Sequence, residues 1–132
     1  MLFQIEDLKK KSLIDTEEYD IKKKFLEFYC LYDGYNCLSI IKKNKEYPMF
    51  IFAVSNNYAT VNYFSDSGNN YVSKNENKFN VDDVVIFYMI SLTEEQEMSK
   101  SVTISVQDAI DAAIEFMKDP CELPSCIMWY EL

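Results

Sequence analysis

The sequence predicts an α+β fold: an antiparallel β-sheet meander of about five to six strands, packed by an N-terminal helix and a C-terminal helix, and ending in a strand. Three observations lead there. Apolar, β-branched and aromatic runs recur between residues 37 and 90, separated by turn signals at hairpin spacing. Segments with apolar residues at three- and four-residue steps stand before and after that region. A proline-containing connector then leads to "CIMWYEL" at the end. With 132 residues, 48% hydrophobic and 15% aromatic, the chain is long enough for one domain, 1–132, with a real core.

The first helix is expected in "DTEEYDIKKKFLEFYCLY", with Asp15 or Thr16 as cap and Glu17 and Glu18 at its positive end. Ile21, Phe25, Phe28 and Leu31 or Tyr32 form its apolar stripe, Lys22, Lys23 and Lys24 its wet flank, and Gly34 the turn that ends it. Strands follow at "CLSIIKK" (37–43) and at "MFIFAVS" (49–55), the latter apolar enough to be central. Asn56 and Asn57 mark a tight hairpin into "YATVNYF" (58–64), where Ala59, Val61 and Tyr63 share one face. "SDSGNN" turns the chain into "YVSK", and the polar loop "NENKFNVDD" precedes "VVIFYMI" (84–90), the most β-prone run. "SLTEEQEMSKS" (91–101) breaks the apolar pattern, and "VTI" is a candidate short strand. The clearest helix is "SVQDAIDAAIEFMKD" (105–119). Ser105 caps it, Asp108 stands three residues on, and Ala109, Ala112, Ala113, Phe116 and Met117 form the buried stripe, with Asp111 and Glu115 facing water. Pro120 stops it. Trp129 and Ile127 alternate in the last strand and should both face the core.

Composition excludes much chemistry. There is no histidine, which removes Ser-His and Cys-His nucleophile pairs and histidine metal ligands. All thirteen basic residues are lysines, which removes arginine fingers and bidentate arginine clamps. Two glycines cannot build a glycine-rich phosphate loop. Cys30, Cys37, Cys121 and Cys126 show neither CxxC nor zinc-knuckle spacing, and they read as small residues at element ends. No metal and no cofactor are expected. The N-terminus lacks the layout of a signal peptide and no apolar run reaches the roughly 20 residues of a membrane span, so a cytoplasmic location with reduced thiols is expected.

Charge is one-sided. Residues 1–50 carry nine acids and nine lysines; residues 51–132 carry thirteen acids and four lysines, which is the whole net charge of −9. Such a field repels nucleic acid and attracts a basic partner, speeding their encounter; no membrane partner is expected.

The last two-thirds of the chain resemble a known family. "YATVNYFSDSGNNYVS" is a strand ending in an aromatic pair and a Gly turn. "VTISVQDAIDAAIEFMKD" then leads through a proline connector to "CIMWYEL". The pattern resembles the Imm1-type immunity proteins of bacterial polymorphic and contact-dependent toxin systems. Tyr63, Phe64, Gly68, Ser105, Ala109, Ala112 or Ala113, Phe116, Pro124, Trp129 and Glu131 carry the match, over roughly residues 58–132. These are mainly structural residue types. The chain departs from the pattern where Lys118, Asp119 and Pro120 replace a glycine and a basic residue.

The resemblance implies a small α+β protein that binds and blocks the C-terminal nuclease or deaminase domain of a toxin encoded beside it. The expected toxin-binding pool is Asp66, Glu76, Asp82, Asp83, Glu94, Glu95 and Glu97, acids placed in loops beside the sheet. Two other readings stay open. One is an acidic nucleic-acid mimic or anti-defence binding protein. The other is an enzyme using carboxylates alone, which would need two acids facing each other across an enclosed cleft.

Overall fold

A computed structural model describes residues 2–8, 10–30, 35–80, 82–88 and 95–132. The chain opens with a hairpin, β1 (Leu2–Asp7) and β2 (Ser12–Glu17), and only then forms α1 (Ile21–Cys30). The expected cap at Asp15 or Thr16 therefore lies inside a strand. The hairpin is driven by period-two burial: Phe3, Ile5 and Asp7 point inward while Gln4 and Glu6 stay half-exposed. Lys11 takes the left-handed turn, with φ 55°. Ile21 and Phe25 are buried and Phe28 packs at the edge of the core, as the α1 stripe predicts. The segment of residues 31–34, with the expected turn at Gly34, lies outside the described residues.

Next come β3 (Tyr35–Lys42), β4 (Met49–Ser55), β5 (Tyr58–Phe64) and β6 (Asn70–Lys74). These four form the predicted meander, and Asn56 in the β4–β5 turn adopts φ 55°. The remaining elements are β7 (Val84–Tyr88), β8 (Glu95–Ser99), a single 3-10 turn (Lys100–Val102), β9 (Ile104–Ser105), α2 (Val106–Lys118) and β10 (Met128–Glu131). The eight-stranded antiparallel sheet runs β10-β6-β5-β4-β3-β1-β2, with β9 beside the start of β5. It has more strands than the five or six expected. β4 is central.

Both helices lie on one face. Phe3, Ile5, Leu38, Ile40, Phe50, Phe52, Val61 and Tyr63 meet Ile21 and Phe25 of α1 and Ala109, Ala112, Ala113, Phe116 and Met117 of α2. The alanines let α2 approach the sheet closely, so the phenyl ring of Phe116 reaches Phe50 at 5.2 Å between centroids. Ser105 caps α2, its Oγ accepting from the Asp108 amide at 3.1 Å. On α1, the ion pair on the wet flank joins Lys24 to Glu27 at 3.7 Å.

β7 departs from the expected meander. β10 takes the place beside β6, with Trp129 opposite Ser73 and its ring against the core. The chain after β6 cannot pair there, so β7 pairs with β8 as a separate two-stranded ribbon. That ribbon seats Phe87, Val85 and Met98 on Cys37, Ala53 and Ile51, which belong to the sheet face opposite the helices. Residues 95–99, read from sequence as polar linker, are thus strand.

The connector between α2 and β10 is held at three points. Tyr63 Oη donates to the Pro120 carbonyl at 2.9 Å, and Trp129 Nε1 donates to the Pro124 carbonyl at 2.7 Å. The Glu115 carboxylate accepts from the Ser125 amide at 2.9 Å, the Ser125 hydroxyl at 2.7 Å and the Cys126 amide at 3.1 Å. Glu115, expected to face water, is therefore a clamp. These bonds, the Ser125 amide foremost, hold its pKa down to about 2. Desolvation and the neighbouring Glu115 push the Cys126 thiol up to about 11, so it is protonated at neutral pH. Cys30 ends α1 as expected, whereas Cys37 is buried within β3 and Cys121 and Cys126 are exposed in the connector.

Two outcomes follow. Phe116→Ala should lower unfolding free energy by about 3–5 kcal/mol in denaturant titration, because it opens a cavity in the middle of the core. Glu115 has a folded pKa below its ordinary 4.5, so its stabilising contribution is present above about pH 4.5 and is lost as pH falls toward 2. Glu115→Gln should therefore be less stable than the native chain at pH 7. The gap between the two melting temperatures should close across that acidic window.

Candidate interaction surface

The β7–β8 ribbon has two unlike faces because strand side chains alternate. Val85 and Phe87 point to the sheet, and Phe87 is fully buried. Val84, Ile86 and Tyr88 point away. Cross-strand partners place Glu97 opposite Ile86 and Glu95 opposite Tyr88, so two exposed carboxylates border an apolar strip. Val84 is 42% exposed.

The ribbon is fixed in place by local contacts. Ser55 Oγ donates to the Ile86 carbonyl. The Lys100 amide donates to the Asp83 carbonyl at 2.8 Å. The Tyr88 ring meets Tyr35 edge-on at 5.0 Å. Tyr88 Oη reaches Glu95 Oε1 at 3.5 Å. Desolvation first, then the Glu95 charge, raises the Tyr88 pKa, so the phenol remains a donor. At the base of the ribbon, Tyr58 is 38% exposed with the Lys100 ammonium 5.5 Å above its ring. A cavity of about 340 Å³ lies here, lined by Tyr35, Asn56, Asn57, Tyr58, Ile86 and Lys100 among others.

The seven acids expected to form a contact pool separate into groups. Glu95 and Glu97 stand side by side on the outer face of β8, a strand and not a loop. Asp82 and Asp83 lie towards the other end of the ribbon, about 10 Å along the strand from Glu97 and about 16 Å from Glu95. Asp83 builds the turn there: its Oδ2 accepts from the Asn80 amide at 3.2 Å. Glu94 lies outside the described residues. Glu76 lines a separate cavity of about 450 Å³ with Lys78, Phe79 and Tyr130. Asp66 occupies the β5–β6 turn, at the far end of β5 from Tyr58. There it lies near the Tyr63 phenol with Asp119 and Glu122; burial above all, and these charges after it, push that phenol's pKa up to about 12.

Sequence reading missed Tyr35, Tyr58, Val84, Ile86, Tyr88 and Lys100. Period-two alternation in "VVIFY" was the available signal, but it marks the outward positions only once the ribbon is known to leave the main sheet.

The residues that carry the family resemblance are framework. Tyr63, Ala109, Ala112 and Phe116 are in the core, Pro124 is buried, and Trp129 packs against the core. Phe64 is half-buried opposite Met49. Gly68 turns the β5–β6 connection with φ 92°; a Cβ there would meet nothing within 4 Å, so backbone conformation is what selects glycine. On the helical side, a cleft of about 530 Å³ lies between the start of α1 and the end of α2, lined by Ile21, Lys22, Ile114, Met117 and Lys118 and by an 89%-exposed Tyr19. Among the described residues no helix is long and apolar enough to cross a membrane.

No curated protein matches the chain. A family model described as Immunity protein Imm1 matches residues 40–131. That span runs from within β3 through the last residue of β10 and takes in the meander, the ribbon, α2 and the clamped connector. Since it covers more than half of the sequence, the chain belongs to the Imm1 immunity protein family.

Proposed function

We propose that this immunity protein neutralises a basic nuclease or deaminase domain of its cognate toxin by covering the substrate-binding region with the outer face of the β7–β8 ribbon. One observation carries the reading: Val84, Ile86 and Tyr88 form an outward strip bordered by Glu95 and Glu97, with Tyr35 and Tyr58 of the main sheet beside its base, on a ribbon anchored from behind by Phe87. Tyrosines give large contact area with few rotatable bonds and a hydrogen-bonding tip, and such side chains supply most of the affinity at protein interfaces. Carboxylates at the rim steer the encounter and set its salt dependence. A nuclease or deaminase must attract a polyanion, so its substrate region carries the complementary potential. All the net charge of −9 arises in residues 51–132, the part that contains the ribbon.

The test uses the C-terminal domain of the toxin encoded beside this chain. Tyr88→Ala should weaken binding about thirtyfold or more, measured by calorimetry, as a central anchor does. The double variant Glu95→Gln with Glu97→Gln should slow association several-fold at low salt and flatten its dependence on ionic strength, read by biolayer interferometry. Native affinity and native salt dependence in both variants would place the interface elsewhere on the molecule.

A further inference from the structure

Lys100 is the cation closest to the ribbon's base in an acidic half of the chain. Residues 51–132 hold only four lysines, and this one sits at the base of the ribbon, half-exposed, in the cavity of about 340 Å³ shared with Tyr35, Tyr58 and Ile86. Among the described residues its ammonium has one partner, the Tyr58 ring at 5.5 Å. A ring face attracts a cation but accepts none of its three N–H donors in the way an oxygen does. Water meets that need while the cavity is open.

Covering the ribbon changes the balance. A partner seated over Tyr58, Val84 and Ile86 strips water from Lys100, and a desolvated ammonium without an anion is strongly unfavourable. The backbone from which the ammonium projects is fixed, because the Lys100 amide is held by the Asp83 carbonyl and the Ser99–Ser101 hydroxyl contact closes the 3-10 turn around it, so the stem starts at the cavity wall. Asn56 and Asn57, also lining the cavity, bring side-chain amide donors to the same space.

We infer that this cavity receives an aspartate or glutamate side chain of the toxin, which pairs with Lys100. The inference rests on the proposed use of the ribbon face. It makes Lys100 a specificity residue: a toxin with the same basic surface but no acid at this point leaves the ammonium buried and unpaired, and is rejected. The acids of the rim attract basic domains in general, and Lys100 selects among them.

The experiment compares Lys100→Gln and Lys100→Arg with the native chain, using the same toxin domain and with thermal unfolding as a check on folding. Lys100→Gln should weaken binding at least about tenfold, mainly through faster dissociation, and Lys100→Arg should bind within a few-fold of native. Replacing the toxin's surface Asp and Glu residues one at a time with Asn or Gln should then reveal one whose effect disappears in the Lys100→Gln background. Lys100→Gln binding within twofold of native overturns the inference. So does a loss that couples to no toxin acid, since the lysine would then act through its packing on Tyr58. If Lys100→Gln has no effect while Tyr88→Ala still weakens binding, only the cavity assignment fails; if neither has an effect, the ribbon assignment fails with it.

Discussion

The seat of Trp129 governs the rest of the architecture. Its ring packs on the helical side of the core and its indole N–H is satisfied by the Pro124 carbonyl. An indole buried without that acceptor would lose a hydrogen bond to water for nothing. The bond therefore ties the path of the connector to the position of β10. Glu115 and Tyr63 hold the same connector from α2 and from β5. With β10 locked beside β6, the sheet has no room for β7 at that edge. The chain must cross to the opposite face, and this crossing creates a two-stranded ribbon with one face free.

A free ribbon of two strands would be marginal by itself. Here its inner face buries Phe87 against Cys37 and Ala53, and short contacts from Ser55 and Lys100 fix its backbone. The result is an anchored platform whose outer residues stand apart from the main core. Rigidity matters for a binding surface, because side chains ordered in advance lose less entropy on association. The framework and the proposed contact surface are therefore largely different residues. Tyr63, the α2 alanines, Phe116, Pro124 and Trp129 build the first; the second is proposed to comprise Tyr58, Val84, Ile86, Tyr88 and the flanking charges.

That division explains what could be read from the chain. Membership of the family was legible because its pattern lies in the framework, where burial constrains residue type. The meander from β3 to β6, the Ser105 cap and the five buried positions of α2 were legible for the same reason: each follows from local periodicity and turn chemistry. The N-terminal hairpin was obscured by "KKK" at its turn and by "DTEEYD", whose acids resemble a helix start while Asp15 in fact pairs with Lys43 across the sheet at 2.6 Å. The proposed contact surface was half legible. Acid content singled out Glu95 and Glu97, which border the outer strip of the ribbon, together with Asp66 and Glu76, which lie on other parts of the molecule.

Sequence alone determined the fold class, the helical core stripe of α2, the one-sided charge and the lack of histidine and arginine chemistry, because these depend on residue type and near-neighbour spacing. Tertiary structure alone decided that "VVIFY" would present Val84, Ile86 and Tyr88 outward, that Glu115 would clamp the connector, and that Lys100 would stand among tyrosines. Those outcomes depend on which strand occupies the edge beside β6. That choice is made by Trp129 and Pro124, some forty residues further along the chain than the ribbon strand it displaces, and no local pattern in the ribbon records it.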